Sequence, residues 1–216
     1  MNSGPPAALI FANGKIEDLS WVESYLETAA PVIAADGGVR HLLALGKRPD
    51  ILVGDLDSLP AELASLSGPD VEVLQVPADK DETDLEMALL LARQRYPGSD
   101  LLVFGAFGGR LDHTLANVSL LAHPELIGRS VKLVDDRATA WLVGSGSTIN
   151  GRAGDIVSLL PLGGDVRVAE TRGLRWPLID ERLYLGRSRG ISNEMMADQA
   201  QIKVSDGTLL CVHTRR

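Results

Sequence analysis

The chain has 216 residues, of which 45% are hydrophobic and 23% charged, and its formal net charge is −8. This length allows one large domain or two small ones, and the acidic balance argues against a nucleic-acid binder, which would carry a basic surface. No run of about 18 apolar residues predicts a membrane-spanning helix, and Met1 to Pro6 lacks the features of a signal peptide, so we expect a cytoplasmic protein without nucleic-acid or membrane partners.

Short apolar runs alternate with helical patterns in the first part of the chain, and such runs are typical of strands buried on both faces of a parallel sheet. The predicted strands are Ala8–Ala12, Val32–Ala35, Ile51–Val53, Val71–Val76 and Leu101–Phe104. The predicted helices are Ser20–Ala29, Val39–Leu45, Asp84–Tyr96 and Leu111–Ala122. Thr83 and Glu86 form a capping-box signature at the start of the third helix. The alternation predicts an α/β fold with a Rossmann-like, mostly parallel sheet and helices on both faces.

From about Val131 the pattern changes to strands alone. The predicted strands are Val131–Val134, Ala140–Val143, Ile156–Leu160, Val166–Val168, Gln201–Val204 and Leu209–His213. Ser205-Asp206-Gly207 has the composition of a turn that joins the last two strands as a hairpin. We therefore predict an α/β domain over residues 1–128, followed by an all-β sandwich domain over residues 129–216.

Acidic and glycine-rich segments follow the predicted strands of the first domain. These segments are Asn13-Gly14, Asp36-Gly37-Gly38, Gly54-Asp55-Leu56-Asp57-Ser58, Asp79 to Asp84, and Gly105 to His113. An open α/β sheet binds its ligands beyond the carboxyl ends of its strands. We therefore expect these segments to converge on one edge of the sheet and to form the functional site.

Asp55, Asp57 and Asp84 are candidate metal ligands. Residues i and i+2 of an extended chain point to the same side, so Asp55 and Asp57 can reach one cation. Clustered carboxylates need a counter-cation, and they are ligands that hard cations such as Mg²⁺ prefer. The alternatives are an Asx turn for the first pair and an acidic first helical turn for Asp84.

A second set of candidates would contact phosphate. Lys80 lies among the acids of residues 79–84, and Arg110 ends a glycine-rich loop whose N–H groups can face an anion. Asp36 and Gly37 lie between a strand and a helix, where phosphate also binds, although a simple tight turn is the alternative. Asp112 would orient Arg110, join the metal shell or accept a substrate proton. Together the two sets indicate Mg²⁺-dependent chemistry on a polyphosphate.

In their identity and order these motifs resemble the thiamine pyrophosphokinase family. The motifs of the first domain are Ala35-Asp36-Gly37-Gly38, Gly54-Asp55-Leu56-Asp57-Ser58, Asp79-Lys80-Asp81-x-Thr83-Asp84 and Gly105-x-x-Gly108-Gly109-Arg110-x-Asp112-His113-x-x-x-Asn117. Those of the second domain are Gly173-Leu174-Arg175-Trp176-x-Leu178 and Gly190-Ile191-Ser192-Asn193-Glu194. The resemblance runs from Ala12 to about Gly207, which is nearly the whole chain.

The resemblance implies a thiamine diphosphokinase, an enzyme that transfers the β,γ-diphosphate of ATP to the hydroxyl of thiamine and releases AMP. It implies a homodimer in which thiamine binds where the β domain of one subunit meets the catalytic cleft of the other.

The resemblance also implies roles for individual residues. The Mg²⁺ ligands would be Asp55, Asp57 and Asp84, with Arg110 and Asp112 as further catalytic residues. The nucleotide contacts would be Asp36, Gly37, Lys80, Asp81, Gly109, Arg110 and Asp112. Asp81 or Asp112 would accept the alcohol proton. Ser192 and Asn193 would contact thiamine. Trp176 matches a family position and either stacks on the ligand or packs in the core, and of the two we expect the core.

Three other functions use some of the same features. A pyrophosphokinase acting on another alcohol, such as a hydroxymethylpterin, would share the metal and nucleotide edge but not the second domain. A metal-dependent phosphohydrolase would replace the alcohol with water, and a nucleotide-sensing module would bind without turnover. The arginine loop and the second ligand domain favour group transfer over both.

Overall fold

A computed structural model describes residues 6–27, 31–56, 66 and 70–216 of the chain. The chain divides into two compact units, Met1–Asp136 and Arg137–Arg216. The predicted boundary after Gly128 precedes this division by one strand. No helix among the described residues is both long enough and apolar enough to cross a membrane.

The first unit contains parallel strands that alternate with helices. Its strands are β1 (Ala8–Phe11), β2 (Val32–Ala35), β3 (Ile51–Gly54), β4 (Glu72–Gln75), β5 (Leu101–Phe104) and β6 (Val131–Val134). Its helices are α1 (Glu23–Leu26), α2 (Val39–Ala44), α3 (Asp84–Arg95) and α4 (Leu111–Leu120), with short 3-10 turns at Ser20–Val22, Asp36–Gly38 and Pro124–Leu126. The strands are ordered β6-β5-β1-β2-β3-β4, and each neighbouring pair is parallel. The predicted α/β fold is therefore confirmed, and β1 is the switch point from which the sheet grows in both directions.

Successive residues of the buried strands pack against helices on opposite faces of the sheet, as the pleat requires. On one face, Leu9, Phe11 and Leu52 belong to a core that includes Val39 and Leu42 of α2. On the other face, Val53 lies beside Met87 and Leu91 of α3. Buried strands of this kind need apolar residues at every position, which is why their composition alone predicts them.

Helix α3 begins as its sequence predicts. The Oγ1 atom of Thr83 accepts a hydrogen bond from the backbone N–H of Glu86 at 3.2 Å. The other half of the capping box is different, because the Glu86 carboxylate lies 3.4 Å from Nε2 of His123. One orphan N–H of the helix is thus satisfied by its cap, while Glu86 links α3 to the segment that follows α4.

The second unit is a sandwich of two antiparallel sheets. Its strands are β7 (Ala138–Val143), β8 (Gly146–Asn150), β9 (Ile156–Pro161), β10 (Val166–Arg172), β11 (Ile179–Leu183), β12 (Asn193–Glu194), β13 (Gln199–Asp206) and β14 (Leu209–Thr214). One sheet has the order β12-β9-β14-β7, and the other has the order β11-β10-β13-β8. Val157, Leu159 and Cys211 of the first sheet share one core with Val168 and Ile202 of the second. The predicted all-β sandwich is confirmed.

Two predictions about connections are wrong. Val131–Val134 was expected among the strands of the β half, but it pairs in parallel with β5 in the first unit. Ser205-Asp206-Gly207 does not join a hairpin, because β13 pairs with β10 and β8 whereas β14 pairs with β7 and β9. The turn carries the chain from one sheet of the sandwich to the other. Turn composition indicates a reversal of direction but does not specify the pairing partner.

Three strands were not predicted, and all three lie at the edges of their sheets: β8, β11 and β12. In β8 only Ile149 is buried, and in β11 only Leu183 is buried. Edge strands commonly carry polar and charged side chains, which oppose edge-to-edge aggregation. Their hydrophobic pattern is correspondingly weak, so periodicity does not reveal them.

Arg129 secures the carboxyl end of α3, which generates a test of stability. Its guanidinium donates to the carbonyl oxygens of Tyr96 and Ser99, at 2.8 Å each, and to that of Pro97. We expect Arg129→Met to lower the free energy of unfolding by about 1–3 kcal/mol, because these partly buried carbonyls lose their donor. The melting temperature should fall by several degrees, measured by thermal denaturation.

Arg93→Met is the matched control for this experiment. Arg93 also pairs across 32 residues, with Glu125 at 3.1 Å, but both side chains are exposed. An exposed pair contributes at most about 1 kcal/mol. Equal losses in the two variants would show that Arg129 is an ordinary surface residue.

Candidate functional site

A cleft of about 630 Å³ lies at the carboxyl ends of the strands of the first unit. Its walls come from the loops after β1, β2, β3 and β5 and from the first turns of α3 and α4. Parallel strands all present their carboxyl ends to the same edge, which explains why segments distant in the sequence meet there. The predicted convergence of the acidic and glycine-rich segments is therefore observed among the described residues.

Most of the predicted nucleotide and metal residues line this cleft: Asp36, Gly37, Asp55, Lys80, Asp84, Gly109 and Arg110. Asp81 and Asp112 are not among its lining residues. Asp57 lies outside the described residues. The cleft also includes Lys15, Arg40 and His41, which the sequence analysis did not assign to the site. Their only signal was position, since each follows the end of β1 or β2 within a few residues.

Lys80 and Asp84 form an ion pair at the N-terminus of α3. The Nζ atom of Lys80 lies 3.0 Å from Oδ1 of Asp84, and it donates to the carbonyl oxygen of Pro77 at 3.2 Å. Both side chains are largely buried. Oδ1 of Asp84 is inaccessible to solvent and has no hydrogen bond of good geometry, and among the described residues the positive charge of Lys80 compensates it. A buried carboxylate oxygen held this way is suited to a cation.

The described part of the metal-ligand set is incomplete. Within residues 6–27, 31–56, 66 and 70–216, no three acidic, histidine or cysteine side chains are close enough to hold a metal ion. The geometric reason given for pairing Asp55 with Asp57 is wrong, because Leu56 between them has a left-handed φ of 65° and the chain is not extended there. Leu56 packs against the core of the first unit, and this packing offsets the strain of its backbone.

The backbones of two loops meet directly at the floor of the cleft. The N–H of Gly14, after β1, donates to the carbonyl oxygen of Gly105, after β5, at 2.8 Å. A Cβ atom on Gly14 would lie 2.2 Å from the carbonyl oxygen of Phe107, and one on Gly105 would lie 2.4 Å from that of Ala12. Gly105 also has a positive φ of 66°. Glycine is therefore required at both positions for the loops to approach this closely.

Two side chains hold these loops from the neighbouring helices. Nε2 of His41, on α2, lies 2.8 Å from the carbonyl oxygen of Gly14. Nδ2 of Asn117, the one buried side chain of α4, donates to the carbonyl oxygen of Ala106 at 2.8 Å. The glycine-rich loop is thus held mainly by main-chain contacts, to which His41 and Asn117 each add one from a side chain.

Arg110 and Asp112 form an exposed pair beside the cleft. Nε and Nη2 of Arg110 donate to the two carboxylate oxygens of Asp112 at 3.1 and 2.5 Å. The hydrogen bonds from Arg110 lower the pKa of Asp112 to about 2. A carboxylate with so low a pKa is a weak base near neutral pH. The geometry therefore fits the orienting role for Asp112 better than the proton-accepting one.

The predicted thiamine contacts lie together in the second unit. The Asn193 side chain is buried, accepts from the backbone N–H of Trp176 at 3.1 Å and donates to the carbonyl oxygen of Trp176 at 2.7 Å. Ser192 is exposed and has a left-handed φ of 57°. The expectation that Trp176 packs in the core is wrong, because its residue is 49% exposed. The Arg175 guanidinium lies 5.3 Å from the centre of its ring.

Family models and known proteins of one family match both units of the chain. The model of the thiamin pyrophosphokinase catalytic domain matches residues 22–133, and that of the thiamin pyrophosphokinase vitamin B1 binding domain matches residues 147–209. A Bacillus subtilis protein named thiamine pyrophosphokinase is 28% identical over 95% of this chain and 97% of its own length. The rice (Oryza sativa subsp. japonica) thiamine pyrophosphokinase 1 is 31% identical, over 76% of this chain and 65% of its own.

Solved structures show the same fold. The crystal structure of the Bacillus subtilis thiamine pyrophosphokinase has a TM-score of 0.85 and 26% identity, and the match covers 97% of this chain and 99% of that one. The yeast thiamin pyrophosphokinase, at 19% identity, has a TM-score of 0.82 over 99% of this chain and 87% of that one. The similarity therefore extends through the α/β unit and the β sandwich alike.

Proposed function

Since the chain belongs to the thiamin pyrophosphokinase family, we propose that it transfers the β,γ-diphosphate of ATP to the hydroxyl of thiamine and releases AMP. The observation that carries this proposal is that one chain combines a cleft lined by glycines and by the cations Lys80 and Arg110 with a second unit that matches the vitamin B1 binding domain over residues 147–209. A pterin substrate or simple hydrolysis of ATP would leave that second match unexplained.

The nucleotide would bind with its phosphates in the cleft of the first unit. We assign Lys80 and Arg110 to the phosphate oxygens, because they are cations that line the cleft. Asp36, Gly37 and Gly109 line it as well and would contact the nucleotide. Asp81 is exposed and stays a weaker candidate. Asp112 would hold the guanidinium of Arg110 in one orientation.

Asp55, Asp57 and Asp84 would hold Mg²⁺. Asp55 and Asp84 line the cleft, and the solvent-inaccessible oxygen of Asp84 fits a hard cation. When bound, the ion would neutralise phosphate charge that develops in the transition state. The chain's own contribution is to align the alcohol with the β-phosphorus. The alcohol oxygen then forms a P–O bond to that phosphorus and gives its proton to a carboxylate or to water. The bond from the phosphorus to the oxygen bridging to the α-phosphate breaks, and AMP leaves with that oxygen.

The first test is a nucleotide assay in which AMP and ADP are resolved. We expect thiamine-dependent AMP with an equal amount of thiamine diphosphate, and we expect Asp55→Asn to lower turnover by about 10²-fold or more, because an amide is a poor ligand for Mg²⁺. The melting temperature should be unchanged.

Asp100→Asn is the control, since Asp100 is exposed and directly precedes β5, at the opposite end of the strand from the cleft. ADP as the product would indicate transfer of the γ-phosphate instead. Thiamine-independent phosphate release would indicate a phosphohydrolase, and nucleotide binding without turnover would indicate a sensor. Wild-type activity in Asp55→Asn would remove this residue from the metal site.

We assign thiamine recognition to Ser192, Asn193 and Trp176 of the second unit. Because Asn193 is committed to the backbone of Trp176, its role would be to hold the indole rather than to contact the substrate. In support, the Arg175 guanidinium lies 5.3 Å from the centre of this ring, and the thiazolium of thiamine is also a cation that an indole can stabilise.

Trp176→Ala should therefore raise the KM for thiamine by about threefold to thirtyfold, which corresponds to a cation–π contact, and leave the KM for ATP within a factor of two. Tyr184→Ala is the matched control, because Tyr184 is an exposed aromatic residue of the same unit with Arg187 5.0 Å from its ring centre. Steady-state kinetics with each substrate varied would decide. An equal rise in both KM values would indicate a structural role for Trp176.

We also propose that the enzyme is a homodimer, with thiamine bound where the second unit of one subunit meets the cleft of its partner. In support, Leu111 and Leu115 form an apolar stripe on α4, and they are 72% and 60% exposed. Residues four apart share one face of a helix, so a second copy would cover both.

The cytoplasmic location remains a prediction from the sequence.

Leu115→Glu should convert the dimer to a monomer, because a carboxylate at the centre of an apolar contact loses its hydration. Light scattering coupled to size-exclusion chromatography would measure the mass. Leu43→Glu, on α2, is the control and should leave the mass of the assembly unchanged. A Leu115→Glu protein that stays dimeric would place the interface elsewhere.

A further inference from the structure

His41 makes a contact that its own helix does not need. It lies in the last turn of α2, yet its ring reaches a carbonyl oxygen that is 27 residues away in the sequence, that of Gly14. The distance from Nε2 to this oxygen is 2.8 Å. A carbonyl oxygen only accepts, so Nε2 carries the proton and donates it. The side chain is partly buried and lines the cleft.

Gly14 connects His41 to the glycine-rich loop that ends in Arg110. While its carbonyl accepts from His41, its N–H donates to the carbonyl oxygen of Gly105. The next residue, Lys15, donates its backbone N–H to the carbonyl oxygen of Gly108 at 3.3 Å. A displacement of Gly14 would therefore move two anchor points of the loop after β5.

We propose that His41 is a positioning residue for the nucleotide: through Gly14 it fixes the two loops that form the floor of the cleft and so the place of Arg110. This inference rests on the proposed use of the cleft for ATP. It assigns to α2 a task in nucleotide binding that involves no contact between His41 and the reacting atoms.

The environment of the His41 ring indicates that the side chain acts by fixing the position of the loops and not by adding charge. Burial lowers the pKa of His41, and hydrogen bonds to the carbonyl groups of Gly14 and Ala12 oppose that shift only in part. The ring is therefore neutral at neutral pH and adds no charge to the cleft. Loss of the side chain should act through the position of the loops and not through the electrostatic potential at the phosphates.

The test compares His41→Leu, which removes the donor, with His41→Gln, whose side-chain amide retains a donor at similar reach. We expect His41→Leu to raise the KM for ATP by about threefold to tenfold, the equivalent of one net hydrogen bond, with the KM for thiamine unchanged. His41→Gln should recover most of the difference. An unchanged KM for ATP in His41→Leu, or a failure of His41→Gln to recover it, would overturn the proposal.

His123→Leu is the matched control. His123 belongs to the same unit, is also partly buried and also contacts other segments, but it does not line the cleft. Its Nδ1 accepts a hydrogen bond from the N–H of Glu125, and its Nε2 lies 3.4 Å from Oε1 of Glu86. It should lose stability without a change in the KM for ATP. The same rise in KM in both variants would attribute the effect to general destabilisation and overturn the proposal.

Amide hydrogen exchange provides a readout that does not depend on activity. His41→Leu should accelerate exchange at the amides of Gly14 and Lys15, which donate to the loop after β5, whereas His41→Gln and His123→Leu should not. Unchanged exchange in His41→Leu would overturn the proposal even if the wild type makes AMP. A wild type that makes no AMP would instead refute the proposed function, while the exchange experiment would still decide whether His41 fixes the loops.

Discussion

The backbones of the loops after β1 and β5 meet at Gly14 and Gly105, and the shape of the cleft depends on this contact. The two strands are neighbours at the point where the sheet switches its direction of growth, which is where an open α/β sheet binds its ligands. No side chain fits between the two backbones. The bottom of the cleft is therefore main chain, and charged side chains such as Asp36, Lys80 and Arg110 line its walls.

Lys80 and Asp84 of the cleft carry opposite charges that compensate each other. In the structure Lys80 faces Asp84, so neither charge is buried without a partner. In the proposed reaction Lys80 would turn to phosphate and Asp84 to the cation, so that each again has an opposite charge nearby. A cation bound as proposed would compensate both the acidic protein and the acidic nucleotide. The same acidity attracts the cationic second substrate.

The sequence predicts those parts of the fold in which a single physical requirement determines which residue types can stand at a position. Buried parallel strands must be apolar at every position, and the cap of α3 must offer an oxygen at Thr83, so both are visible in the residues themselves. Edge strands such as β11 carry Asp180, Glu181 and Arg182, and only their partners reveal them. The site follows the same division: the acids and glycines stand out by composition, whereas His41 acquires its role from a carbonyl that only the fold brings near. Trp176 was expected in the core because aromatic side chains are usually buried. Its exposure depends on which segments of the fold lie beside it, and the sequence does not reveal those neighbours.

The crossing of the chain between sheets after β13 determines when the second unit can be completed during synthesis. β14 is made after every other strand of the unit, yet it lies between β7 and β9. β7 and β9 pair with each other only through β14, so this part of the sheet cannot form until β14 has left the ribosome. The α/β unit contains all of its strands much earlier and can fold while translation continues. The sandwich, in contrast, must wait for its last strand, and until then the apolar inner face of its first sheet is incomplete.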